Sequence, residues 1–171
     1  YARNNANVGN LIANGGFESG IVGWNLGYNN TGLTSFLEYN IGPAYTLSGA
    51  GLASLRLSGT PATAKVFDAG GSGLIPVVPG TRYEVSSLLN AHRCHAYVLL
   101  AWFNSSSAYI GEVAGNIVTF TSEVYSLSDL RASSAFATVP AEAAFVQVII
   151  RGLTTGEANP YVFFKNVYFT E

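Results

Sequence analysis

Two alternating runs carry side chains suited to holding an amphipathic ligand. In Arg82–Asn90, Tyr83, Val85, Ser87 and Leu89 fall on one side, and Arg82, Glu84, Ser86, Leu88 and Asn90 on the other. In Phe145–Arg151, Val146, Val148 and Ile150 form one face, while Gln147 and Arg151 point away with Phe145 and Ile149. A face mixing guanidinium, carboxylate and amide groups with large apolar side chains is neither a dry core nor an ordinary wet surface. It suits a groove. A third run, Ala96–Phe103, offers Tyr97 and Phe103. Aromatic faces lie well against C–H surface, while amide and charged groups hydrogen-bond around them. The expected groove set is Tyr97, Phe103, Gln147, Arg151, Asn90, Glu84 and Arg82. The other use open to Tyr97 and Phe103 is a packing face against a second domain.

Other constellations carry less. His92-Arg93-Cys94-His95 crowds three metal-ligating side chains into one turn. A zinc site needs four ligands, usually as two spaced pairs, and no second cluster exists. The segment reads as a loop joining two strands at the groove rim. Glycoside hydrolysis needs two acids facing one cleft. Of the 10 acidic residues only Glu84 falls on the expected groove face. No Gly-x-Ser-x-Gly turn presents a serine nucleophile. Gly70-Gly71-Ser72-Gly73 precedes no helix that would cradle a phosphate. The expectation is a chain without catalysis.

Strands must position these groups. Short apolar runs alternate with Gly, Pro, Ser and Asn, and no long helical period occurs. Strands are expected at Thr34–Tyr39, Ala53–Ser58, Ala64–Phe67, Arg82–Asn90, Ala96–Phe103, Ile117–Thr121, Ser134–Val139, Phe145–Arg151 and Tyr161–Phe169. Many short strands at this spacing make a sandwich or barrel. A chain of 171 residues that is 49% hydrophobic fits one domain, 1–171, with a sizeable core. Charged residues are only 11% and the net charge is −2, so there is no basic stripe for nucleic acid. No apolar run approaches the ~18 residues of a membrane helix. Cys94 is the single cysteine and forms no internal disulfide. The fold must rest on packing, or on packing plus an ion. A start at Tyr1 and the lack of Met read as a domain cut from a longer protein, with that chain's other domains as neighbours.

The segment Asn10-Leu11-Ile12-Ala13-Asn14-Gly15-Gly16-Phe17-Glu18-Ser19-Gly20, followed by Gly23-Trp24, resembles the opening of carbohydrate-binding modules of families four, nine, sixteen and twenty-two. The likeness continues in order. It takes in Gly51-Leu52-Ala53-Ser54-Leu55-Arg56-Leu57, Val78-Pro79-Gly80-Thr81-Arg82-Tyr83-Glu84-Val85-Ser86, Trp102-Phe103-Asn104, Val139-Pro140-Ala141-Glu142-Ala143 and Lys165-Asn166-Val167. Nearly the whole chain is covered. The resemblance implies an all-β jelly-roll sandwich of two antiparallel sheets. It implies sugar binding on the concave sheet or at the loops, often a structural calcium beside the opening turn, and no catalysis. Leu88 stands where the family often carries a groove tryptophan. Gly15-Gly16 lets the chain turn sharply, and Phe17 and Trp24 are expected to fall back onto the core.

In the family, the Glu of the opening turn meets an Asp on the closing strand, and backbone carbonyls complete an oxygen cage around the ion. Glu18 matches the first, and Lys165 stands at the second. Alternation puts Phe163, Lys165, Val167 and Phe169 on one face. An inward ammonium must be paired, so Lys165 is expected to replace the cation and bridge Glu18. No metal and no cofactor is then expected, and calcium is disfavoured by Lys165. The alternative is a register shifted by one. That turns Lys165 to solvent and brings Asn166 inward as an oxygen ligand.

Together these readings predict non-catalytic carbohydrate binding. The domain would attach a secreted bacterial enzyme, or a bacteriophage tail or fibre protein, to a polysaccharide or a host cell-surface glycan. It would act outside the cell or on the virion surface. The alternative is a structural sandwich of a phage tail or fibre assembly that binds no sugar. Nucleic acid and membrane insertion are not expected, and a homo-oligomer is left open.

Overall fold

A computed structural model describes residues 9–39, 51–71, 73–119 and 129–171. The strands in chain order are β1 (Asn25–Asn29), β2 (Ser35–Tyr39), β3 (Ala53–Leu57), β4 (Val66–Gly70), β5 (Ile75–Pro76), β6 (Arg82–His92), β7 (Cys94–Phe103), β8 (Tyr109–Ala114), β9 (Arg131–Thr138), β10 (Phe145–Thr154) and β11 (Tyr161–Thr170). They form two antiparallel sheets. The first runs β1-β4-β10-β7-β8, with β5 paired to β10, and the second runs β2-β3-β11-β6-β9. The chain is the all-β jelly-roll sandwich that its sequence predicts.

Alternation explains which residues meet in the middle. Val146, Val148 and Ile150 of β10, with Val98, Leu100 and Trp102 of β7, face Val85 and Leu89 of β6 and Val162 and Phe164 of β11. Tyr83 stacks on Phe169 with ring centroids 5.0 Å apart. Phe17 and Trp24 join this core as expected. Phe17 lies 5.1 Å from Trp24 and 5.3 Å from Phe164, centroid to centroid. Such aromatic contacts add to the stability from burial alone.

The opening segment is bonded to the closing strand. β3 pairs with β11 only from Tyr161 to Phe164. Beyond that point the opening segment occupies the same side. The Val167 N–H donates to the Gly15 carbonyl at 2.8 Å, and the Asn10 carboxamide donates to the Val167 carbonyl at 2.8 Å. The Phe169 N–H donates to Asn10 Oδ1 at 3.0 Å, and the Leu11 N–H donates to the Phe169 carbonyl at 2.8 Å. Asn14 holds the turn itself, donating to the carbonyls of Gly20 and Val22 and accepting from the Ser19 N–H.

A bulge at Lys165 and Asn166 overturns the expected facing of β11. The pairing with β6 shifts register between Lys165 and Tyr168, and Asn166 adopts φ 51°. Asn tolerates this left-handed conformation better than most residues. The inward residues are therefore Val162 and Phe164, then Val167 and Phe169. Lys165 sits opposite Leu88 on the outer face and is half-buried there. Glu18 is exposed, and no ion pair joins it to Lys165. An extra residue in a strand reverses the faces of everything after it, so uninterrupted alternation cannot describe this strand.

His92-Arg93-Cys94-His95 is the corner where the chain leaves the second sheet and enters the first. Arg93 turns it with φ 57°. Its guanidinium donates to the Ala158 carbonyl at 3.1 Å, and its own carbonyl accepts from Thr155 at 2.9 Å. Cys94 is buried, donates to the Tyr161 carbonyl at 3.3 Å, and has its thiol pushed up by burial. Three strands were not anticipated, β1, β5 and β8. The strand expected at Ile117–Thr121 is an isolated bridge between Val118 and Ala96, and residues 120 and 121 lie outside the described ones.

Candidate functional site

The outer face of the first sheet carries a cleft of about 470 Å³, within the usual range for a ligand site. Cross-strand register builds it. Arg151 of β10 stands between Asp68 of β4 and Tyr97 of β7. Ile149 stands between Gly70 and Leu99. Gln147 faces Ala101, which faces Glu112 of β8. Phe103 faces Tyr109, with the rings edge to face at 6.0 Å. Ile149 and Ala101 make an apolar floor, Phe103 and Tyr109 one wall, and Tyr28 of β1 the opposite rim. Tyr28 and Tyr109 are more than half exposed. Glycine at position 70 leaves room for the Gln147 carboxamide, which a Cβ there would meet at 2.6 Å and push aside.

One network fixes the polar side. Arg151 Nε and Nη2 each donate to Asp68 at 2.8 Å, and Nη1 donates to Glu112 at 2.7 Å. Asp68 is 1% exposed, Arg151 12% and Glu112 31%. The Asp68 hydrogen bond is the largest influence holding the Arg151 charge, and burial opposes it. Burial pushes the Asp68 carboxyl up, and Arg151 pulls it back. With two N–H groups at 2.8 Å the carboxylate stays ionised at neutral pH. Burial first and the Glu112 carboxylate second push the Tyr109 phenol up.

No protein-family model and no curated sequence matches the chain. Solved structures do. Module TmCBM61, in complex with β-1,4-galactotriose, superposes with a TM-score of 0.57 at 15% identity, over 95% of this chain and 98% of that one. The enzymatically active domain of bacteriophage CBA120 tailspike protein 4 gives a TM-score of 0.63 at 13% identity over 95% of this chain. This chain covers 21% of that tailspike chain. The CBM22-1 and GH10 modules of Clostridium thermocellum xylanase 10B, complexed with xylohexaose, give 0.52 at 13% identity, over 87% of this chain and 26% of that one. The fold is that of the β-sandwich carbohydrate-binding modules.

Of the residues singled out in the sequence, Tyr97, Phe103, Gln147 and Arg151 lie on the first sheet. Phe103, Gln147 and Arg151 line the cleft, and Tyr97 packs beside its floor with Leu99 and Ile149. Arg82, Glu84 and Asn90 do not join them. They lie on β6, in the second sheet, and face away from the core on the opposite side of the sandwich. Arg82 sits over the Phe136 ring at 5.5 Å, and Asn90 is buried opposite Phe163. Leu88 shares that face. The two runs look equivalent as alternating strings, yet the chain changes sheets at Arg93. Asp68, Glu112, Tyr109 and Tyr28 are the site residues that sequence reasoning missed. Asp68 was within reach, because alternation from the buried Phe67 and Ala69 turns it outward.

Among the described residues, the oxygen donors of the opening turn do not assemble into a calcium cage. Asn10 Oδ1 accepts from the N–H groups of Ile12 and Phe169, and the Gly15 carbonyl accepts from Val167. Glu18 is exposed, with Lys165 on the far face of β11. Among the described residues, no three His, Cys, Asp or Glu side chains converge. Calcium needs six to eight oxygens.

Proposed function

We propose that the chain is a non-catalytic carbohydrate-binding domain whose ligand lies across the first sheet, between Tyr28 and Tyr109. The observation that carries this is the cleft's double character. An apolar floor and an aromatic wall of Phe103 and Tyr109 match the C–H faces of sugar rings. Gln147, Glu112 and Arg151 stand beside them to meet hydroxyl groups. Neighbours of the same fold that hold galactotriose and xylohexaose support the reading. Among the described residues the cleft offers no pair of free carboxylates. Both Asp68 oxygens are held by Arg151, so Glu112 has no free carboxylate partner for general acid–base work. In this reading the domain anchors a secreted enzyme or a phage tailspike or fibre to a polysaccharide or host glycan.

Titration of the chain against soluble galactan and xylan tests it. Stacking one aromatic face on a sugar contributes roughly 1–2 kcal/mol by area. Phe103→Ala is therefore expected to weaken binding about tenfold, with the melting curve still cooperative. Equal affinity in wild type and variant would remove Phe103 from the site. A protein that binds no glycan would leave a structural sandwich of an assembly as the reading.

The opening turn in this reading is closed by hydrogen bonds and needs no calcium. The melting temperature is expected to stay the same with added calcium and with chelator. A rise with calcium, reversed by chelator, would show an ion site at the turn.

A further inference from the structure

An arginine in a glycan cleft ordinarily suggests an acidic sugar, because its planar fork pairs with carboxylate, sulfate or phosphate. Arg151 is not available in that way. Its Nε and Nη2 are bound side-on to Asp68, and its Nη1 is bound to Glu112. The fork that would grip a ligand carboxylate already grips one of the chain's own.

The charge count of the cleft follows. Arg151 contributes one positive charge, and Asp68 and Glu112 two negative ones, so the lining carries a net −1. Its other lining residues are uncharged. The chain as a whole is also negative, at −2. Asp68 is sealed beneath Arg151 at 1% exposure, whereas Glu112 is 31% exposed and opens to the ligand side, next to Tyr109. One arginine is shared by two carboxylates, so one negative charge is left over, and Glu112 is the carboxylate that a ligand meets. Apolar floor and walls lower the local dielectric, so that charge acts more strongly there than on open surface.

We propose that Glu112 makes this cleft selective for uncharged glycans and excludes those bearing uronate, sialate, sulfate or phosphate. Arg151 is its positioning partner, holding the Glu112 carboxylate over the cleft. The inference rests on the sugar-binding reading above and adds to it the class of sugar accepted.

The test uses an array with neutral galactans, glucans and xylans beside uronic-acid, sialylated and sulfated glycans, probed with the whole chain. Wild type is expected to bind neutral glycans only. Glu112→Gln keeps an oxygen for Arg151 and removes the charge. It is expected to raise the ratio of acidic to neutral binding about tenfold at low salt. A wild type that binds acidic glycans as well as neutral ones overturns the proposal, as does a ratio unmoved in Glu112→Gln. Binding to no glycan at all overturns the sugar reading beneath it. A second readout needs no variant. Residual binding of an acidic glycan to wild type should strengthen, relative to neutral glycans, as sodium chloride screens the repulsion. Weakening instead would mean attraction, and would overturn the proposal if Glu112→Gln failed to fold.

Discussion

Arg151→Ala is expected to lower folding stability by about 3–5 kcal/mol, the usual cost of removing one partner of a buried ion pair. The geometry explains the size. Asp68 is 1% exposed and receives both of its side-chain hydrogen bonds from Arg151. Removing the guanidinium leaves a buried carboxylate with no donor, and Glu112 adds a second negative charge nearby. The pair therefore matters less as an attraction than as compensation for burying a charge. Replacing both residues by apolar ones of similar size, Asp68→Leu with Arg151→Met, should recover most of the loss, since neither charge then remains to be desolvated. The deficit of Arg151→Ala should also depend on pH. Stranded in an apolar site, Asp68 binds its proton more tightly in the folded than in the unfolded state. The variant therefore gains stability as pH falls and loses it as pH rises. Denaturant unfolding near pH 4 and near pH 7 would show both effects. A loss under about 1 kcal/mol at neutral pH would mean that the pair is solvated, as surface pairs are.

Gly15→Ala is expected to cost about 3 kcal/mol or more, for a reason unrelated to backbone freedom. Gly15 does not adopt a positive φ. Its missing side chain is what matters, because a Cβ would fall inside the Val167 carbonyl oxygen and against the Asn10 carboxamide. Those two groups are hydrogen-bonded to each other, and the Gly15 carbonyl is bonded to the Val167 N–H. Overpacking of this kind costs about 1–3 kcal/mol, and each lost hydrogen bond adds about 0.5–1.5. Trp24 lies 4% exposed against Phe17 behind this turn, so its fluorescence should shift to the red if the segment lifts. Gly16→Ala is the control. The group in its way is the Glu18 carboxylate, the end of an exposed side chain that can rotate aside. An unfolding midpoint for Gly15→Ala equal to that of Gly16→Ala would mean that the opening segment is not held as described.

The sequence by itself determined the architecture and the inward faces of the long central strands. Val146, Val148 and Ile150 alternate with Gln147, Ile149 and Arg151 over a strand flanked on both sides by other strands. A two-residue period is visible wherever one face must be apolar. The opening motif was legible as a resemblance, and Asn14 bonds within its own turn, but Gly15 and Asn10 answer to Val167 and Phe169 near the other end of the chain. The two edge strands of the first sheet, β1 and β8, were not legible. In β1, Asn25, Leu26, Gly27 and Tyr28 are all exposed, and in β8 no residue is fully buried. An edge strand that covers little core needs no alternation, and these strands supply Tyr28, Tyr109 and Glu112. Only the tertiary structure decided which polar residues share a face. Arg82, Glu84 and Asn90 alternate as cleanly as Gln147 and Arg151, yet the corner at Arg93 carries β6 and β7 into different sheets. Likewise, the bulge at Asn166 changes the facing of β11 because Val167 and Phe169 turn their backbone groups to Asn10 and Gly15, some 150 residues earlier in the chain. Alternation reports how one strand is divided between two faces. Which sheet the strand joins, and where its ladder breaks, depends on partners distant in sequence.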